Sequence, residues 1–186
     1  MSRETHRGID IHRALGTRFD KRRFAGRATN SATYFLSAVW AGLRLDRPDI
    51  VVSLTDPPII GLAAWLSGRR FGAPLVMAFQ DLFPEVAALL PDFHSPAING
   101  MLQRVNQFLV KRAVMNVALG ETMRARLIEN KGAPPAKTMI IPSWADTMAI
   151  QPGPKRNPLS EASGLAAAFA VMHSGNIGLS PGLEHI

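Results

Sequence analysis

From Asp49 onward the chain alternates between short apolar runs and stretches of helical composition, and this alternation limits the fold more than any other feature. "DIVVSLT" (49–55) is a β-branched run stopped by "DPP". "IIGLAAWLSGRR" follows as a helix ended by Gly72 and Pro74, and "PLVMAF" is the next strand. "QDLFPE" is a turn in which Pro84 suits the first turn of a helix. "SPAINGMLQRVNQFLVKRA" predicts a longer helix. Ser95 is its cap, Pro96 holds its first position, and Ile98, Leu102, Val105 and Leu109 share one face. "VMNVAL" and "KTMIIP" are two more strands, separated by "GETMRARLIENKG", a helix closed by Gly132. "SWADTMAIQPGPKRNP" reads as an irregular, proline-rich link. "LAAAFAVMHSG" runs from a short helix or turn into a last strand.

Strands separated by helices of roughly 10 to 15 residues form βαβ units and a parallel sheet. The strands are nearly continuous apolar runs, as expected when helices cover both faces. The predicted fold class is therefore α/β, a Rossmann-like parallel sheet with flanking helices. Ligands bind such sheets beyond the carboxyl ends of the strands. That rule singles out "TDPP", "QDLFPE", "LGET", "PSWAD" and "SGNIG", each at or just after a strand end.

Charge and composition narrow the chemistry. The chain has no cysteine, which excludes disulfides, thiolate metal sites and cysteine nucleophiles. Its 21 Lys and Arg residues against 14 Asp and Glu give a net charge of +7, which favours anionic partners. Much of the excess lies early, in Arg3, Arg7, Arg13, Arg18, Lys21, Arg22, Arg23 and Arg27. Two readings of this segment stand side by side, a solvated basic surface and contact with an acidic membrane face. Nucleic acid is not an expected partner, because zinc-finger spacing is absent and aromatics are sparse for base stacking. No apolar run reaches the roughly 20 residues of a membrane span, and the start of the chain lacks a signal-peptide pattern. The expectation is a soluble or peripherally bound cytoplasmic chain.

The strand-end motifs each admit a chemical and a plain reading. In "HSGNIG", glycines would let backbone N–H groups approach a diphosphate, or they merely make a turn. In "AFQDLFPE", Asp81 and Glu85 are either a carboxylate pair suited to glycoside chemistry or turn residues satisfying backbone donors. In "TDPP", Thr55 and Asp56 could touch substrate, although turn chemistry accounts for them. His173 borders the last loop, and no histidine has ligand spacing with a partner, so no metal site is expected. Glu121 and Glu129 lie about 80° apart on a helix and read as a solvated face with Arg124 and Arg126.

The order of "RPDIVVSLTDPP", "GAPLVMAFQDLFPE", "KRAVMNVALGETMRARLIENKGAPPAKTMIIPSWAD" and "HSGNIGLSPGLE" resembles a bacterial retaining glycosyltransferase of family 4, nearest its cell-surface polysaccharide branch. The resemblance runs from about Gly8 to the end, and "GIDIHRA" (8–14) reads as a strand well inside the family's first domain. It implies the two-domain GT-B fold, with residues 1–150 as part of the acceptor-side domain, 151–165 as linker and 166–186 as the start of the nucleotide-sugar domain. It further implies that family elements before and after this sequence are missing from it. The implied reaction moves a sugar from a nucleotide donor, UDP- or GDP-linked, to a lipid-linked or growing glycan. It proceeds with retention and needs no cofactor or metal, since backbone N–H groups and basic side chains stabilise the leaving diphosphate.

Carried over by motif, Asp81 matches the acidic residue near the transferred sugar. Gln80 stands where many members have histidine, and Phe83 and Glu85 belong to the same acceptor-side loop. Gly175, Asn176 and Gly178 match the glycine-rich donor loop. Ser143, Trp144, Ala145 and Asp146 match the stretch leading into the link. The segment Arg18 to Trp40 would lie at the anionic inner-membrane surface. The sequence by itself is expected to bind donor poorly, to catalyse little and to expose sticky edges. Two other readings remain, a non-catalytic glycan- or partner-binding module and a two-domain nucleotide-sugar epimerase.

Overall fold

A computed structural model describes residues 2–20, 23–86, 95–171 and 175. The chain forms two compact units, Met1–Pro142 and Ser143–Ile186.

The first unit is built on four parallel strands, β3 (Val51–Ser53), β4 (Leu75–Ala78), β5 (Met115–Ala118) and β6 (Thr138–Ile140), in the spatial order β3-β4-β5-β6. Helices α2 (Ile60–Phe71), α3 (Pro96–Arg112) and α4 (Glu121–Lys131) connect them. The α/β class and the flanked parallel sheet read from the sequence are thus what the molecule adopts. Because each βα unit steps one place across the sheet, all four strand ends and their loops open on one edge.

Local chemistry fixes the ends of these elements. Pro96 occupies the first turn of α3, where its missing N–H costs nothing. Ser95 holds the cap position in extended geometry, but its side chain makes no capping bond. α4 ends at Gly132, whose φ of 70° suits glycine. There Gly132 N–H donates to Ile128 O at 3.2 Å and Ala133 N–H to Leu127 O at 3.0 Å, closing the helix at a left-handed glycine.

The core lies between the sheet and its helices. Leu75, Met77 and Phe79 alternate along β4 and its end, and pack with Leu109, Val110, Ala113, Ala118 and Leu127. Trp65 of α2 meets Phe108 of α3 edge-on, with ring centroids 4.9 Å apart.

Two features of this unit differ from the sequence reading. "GIDIHRA" was expected as a strand within the domain. It does form β2 (Ile9–Arg13), but among the described residues β2 pairs only with β1 (Ser2–His6), in a separate antiparallel hairpin. Arg7 and Gly8, at φ 50° and 80°, supply the two left-handed residues that such a tight turn requires. A long helix, α1 (Phe24–Gly42), spans a region to which the sequence reading gave no element. Residues 15–19 run alongside it. Phe19 N–H donates to Asn30 Oδ1 at 2.9 Å and Asn30 Nδ2 donates back to Phe19 O at 3.0 Å. Thr17 N–H donates to Thr33 Oγ1 at 3.0 Å, and Leu15 N–H to Ser37 Oγ at 3.1 Å. Asn30, Thr33 and Ser37 recur at helical spacing, so one polar stripe of α1 satisfies the backbone of the strap.

β3 is an edge strand among the described residues, and Ile50, Val52 and Leu54 are exposed on and beside it. No described helix is long and apolar enough to cross a membrane.

In the second unit, α5 (Pro158–Ala162) forms inside the stretch read as linker. Asn157 Oδ1 accepts Ser160 N–H at 3.0 Å while Ser160 Oγ accepts Asn157 N–H at 3.0 Å, a reciprocal capping box ahead of Pro158. Of the stretch expected to run from a short helix or turn into a last strand, the described residues 165–171 carry bends at 166–168 and no strand. Only Val171 there is β-branched, and Phe169 is exposed. Residues 172–174 lie outside the described residues.

Candidate active site

The strongest grouping of expected site residues lies beyond the carboxyl end of β4. The loop that follows crosses the end of β3, where Thr55 is buried. Thr55 Oγ1 accepts the N–H of Gln80 at 3.1 Å and of Asp81 at 3.4 Å. This side chain therefore replaces a strand partner just where the β4 ladder ends. Pro84, expected in a first helical turn, lies instead in a turn over 83–86 preceded by a cis peptide bond. One α-type bond, Val86 N–H to Leu82 O at 2.9 Å, closes that turn.

Gln80, Asp81, Leu82, Glu85 and Val86 form one wall of a cleft of about 290 Å³. Thr122, Met123 and Arg126, from the first turns of α4, form the other. Gln80, Asp81 and Arg126 are exposed to solvent. The Asp81 carboxylate makes no hydrogen bond or ion pair among the described residues, although its own N–H is held. Glu85 differs, because its Oε2 accepts from Lys131 Nζ at 2.7 Å. The two carboxylates thus have separate circumstances: one is open to the cleft, the other is tied into the wall.

This geometry sorts the sequence-derived residues. Gln80, Asp81 and Glu85 come together. Thr55 supports them from beneath. Asp56 lines a different groove of about 500 Å³, with Ile50, Val52 and Leu54 of the β3 edge and with Ile60 of α2. The Phe83 side chain does not line the cleft. Its carbonyl instead accepts from Asn106 Nδ2 at 2.6 Å and from Lys131 Nζ at 2.8 Å. Gly175 is an exposed bend in the second unit, while Asn176, Gly178 and His173 lie outside the described residues. Asp146 Oδ1 accepts the N–H of Met148 and of Ala149, so it caps a turn, and Trp144 beside it is exposed.

Three contributors escaped the sequence reading: Thr122, Arg126 and Lys131. Thr122 and Arg126 are one helical turn apart at the start of the helix after β5, so they face the strand-end edge together. That signal was available. Lys131 had no such signal, since its partners are 28 to 48 residues away.

Among the described residues, no group of three or more His, Asp or Glu side chains is placed to hold a metal ion. A cleft with an open carboxylate, an amide and a guanidinium offers hydrogen bonds to hydroxyls and one cation for an anionic group.

Comparison with known proteins gives this site its family. Residues 2–144 match the model of the glycosyl transferase 4-like domain. The chain belongs to that family. It is 28% identical over 155 residues to the probable glycosyltransferase WbjE of Pseudomonas aeruginosa, a match covering 82% of this chain and 38% of that protein. It is 30% identical over 96 residues to the D-inositol 3-phosphate glycosyltransferase of Kineococcus radiotolerans, covering 52% of this chain and 22% of that protein. The chain thus spans well under half the length of these relatives. The cleft lies wholly within the residues that match the family model.

Proposed function

We propose that this glycosyl transferase 4-like chain supplies the acceptor side of a retaining sugar transfer, from a nucleotide-sugar donor to a lipid-linked or growing glycan. The observation that carries the reading is the Asp81 carboxylate, fixed at its backbone by Thr55 and unengaged at its side chain, in a cleft shared with Gln80 and Arg126. Asp81 and Gln80 hydrogen-bond sugar hydroxyls and orient the reacting groups. Orientation of this kind is a large part of what transferases contribute. Arg126 faces the anionic portion of a lipid-linked acceptor. Glu85 shapes the wall, because Lys131 already engages it.

On this reading the glycine loop around Gly175, Asn176 and Gly178 meets the donor diphosphate, and no metal or cofactor is required. The support for that part is the sequence resemblance. The protein works at the cytoplasmic face of the inner membrane, with the anionic lipid surface as a further partner. The net charge of +7 and the exposed Leu15, Phe19, Leu36 and Trp40 favour such contact.

The test is radiolabel transfer from UDP- and GDP-linked hexoses to a polyprenyl-diphosphate-linked N-acetylglucosamine. It uses the protein encoded by the reading frame that carries this sequence. Labelled lipid product with the donor's anomeric configuration supports the reading. Nucleotide-dependent conversion of the donor sugar, without transfer, would favour the epimerase alternative.

A further inference from the structure

Lys131 ends α4 with a side chain of 0% exposure. Its Nζ donates to Phe83 O at 2.8 Å, to Glu85 Oε2 at 2.7 Å and to Gln103 Oε1. An ammonium has three donors, and all three are used. Burying a cation is costly, and an apolar side chain of similar volume often serves stability as well or better. The informative point is therefore where the bonds go. Two of the three end on the Gln80–Val86 loop, one on its backbone and one on its carboxylate. The third reaches α3, where Gln103 is itself oriented by Nε2 donating to Asn130 O at 2.7 Å. Asn106 of α3 reinforces the same Phe83 carbonyl. The loop is thus pinned at Gln80 and Asp81 by Thr55, and at Phe83 and Glu85 by Lys131. The carboxylate of Asp81 is left as the part that faces outward.

We propose that Lys131 is a positioning residue, whose buried ammonium fixes the Gln80–Val86 loop and so sets where Asp81 meets the acceptor. This rests on the transferase reading above. Lys131 touches no substrate, and it acts only through Phe83 and Glu85.

The test uses the protein encoded by the reading frame that carries this sequence, and compares its wild type with Lys131→Met and Glu85→Gln by residue-resolved amide hydrogen exchange. It adds transfer kinetics from UDP- and GDP-linked hexoses to polyprenyl-diphosphate-linked N-acetylglucosamine. In K131M, exchange at Gln80, Asp81 and Val86 rises about tenfold more than at Leu109, Ala118 and Leu127. The acceptor KM rises about tenfold while the donor KM holds, a split that loss of folded protein alone would not produce. Equal acceleration at loop and core, or an unchanged acceptor KM in a folded variant, overturns the proposal. If K131M does not fold, E85Q decides, with selective loosening of the loop expected and an unchanged loop contradicting it. A wild type that transfers no sugar sinks the functional reading and this role together. An active wild type with an unshifted K131M acceptor KM sinks the positioning role alone.

Discussion

The Thr55 hydroxyl oxygen lies 3.1 Å from the Gln80 amide nitrogen and accepts its hydrogen, joining the ends of two neighbouring strands that are 25 residues apart in sequence. The same oxygen receives the Asp81 N–H, so one buried side chain sets the start of the loop that bears the candidate catalytic carboxylate.

Thr55→Val keeps the shape and removes the acceptor, leaving two backbone donors without it. Stability in urea falls by about 1–3 kcal/mol, the cost of unsatisfied buried polar groups. Transfer activity falls with it, whereas Thr55→Ser retains both. Equal urea midpoints for T55V and wild type would contradict the role of this hydroxyl.

Asp10 in the β1–β2 hairpin titrates below the ordinary aspartate value, because the Thr5 hydroxyl and then the Arg3 guanidinium stabilise its charged form. A lowered carboxyl value contributes hairpin stability that is present above the ordinary value and lost as pH falls through the lowered one. Thr5→Val moves the Asp10 midpoint up in a carboxyl NMR titration. A midpoint that stays in place would show that Arg3 suffices.

Contact with lipid is a third expectation. Arg44 stacks on the exposed Trp40 ring with its guanidinium carbon 3.4 Å from the ring centroid, giving an apolar surface with a fixed cation. Vesicles rich in phosphatidylglycerol bind the wild type and sediment with it. Trp40→Ala weakens that binding several-fold, and neutral vesicles bind poorly throughout. Equal binding to neutral and anionic vesicles contradicts this part.

A fourth prediction concerns Leu109, fully buried against Met77 and its neighbours. Leu109→Ala leaves a cavity and lowers stability by about 2–5 kcal/mol in chemical denaturation. A loss below about 1 kcal/mol would mean that the core is looser than its burial indicates.

The parallel sheet was legible because its strands are apolar and its helices end at Gly72 and Gly132, residues whose left-handed backbone marks a stop. The loop bearing Gln80, Asp81 and Glu85 was legible from its place after a strand. α1 was not, because no capping bond or first-turn acid marks its start, and its apolar residues are spread over an incompletely buried surface. The hairpin was half legible: "GIDIHRA" looks like a strand, but only contact with Ser2–His6 shows its antiparallel pairing. Lys131 was illegible for a simpler reason. A lysine near a helix end normally faces water, and only the folded chain brings Phe83, Glu85 and Gln103 around it.

The most direct measurement of the central claim is sugar transfer by Asp81→Asn beside the wild type, with folded fraction checked by circular dichroism. Asp81 is exposed and its carboxylate is unengaged, so stability should change by less than about 0.5 kcal/mol. Transfer from the nucleotide sugar to the lipid-linked acceptor should fall about 10²-fold. A folded D81N protein that transfers sugar at the wild-type rate would contradict the assignment of this cleft.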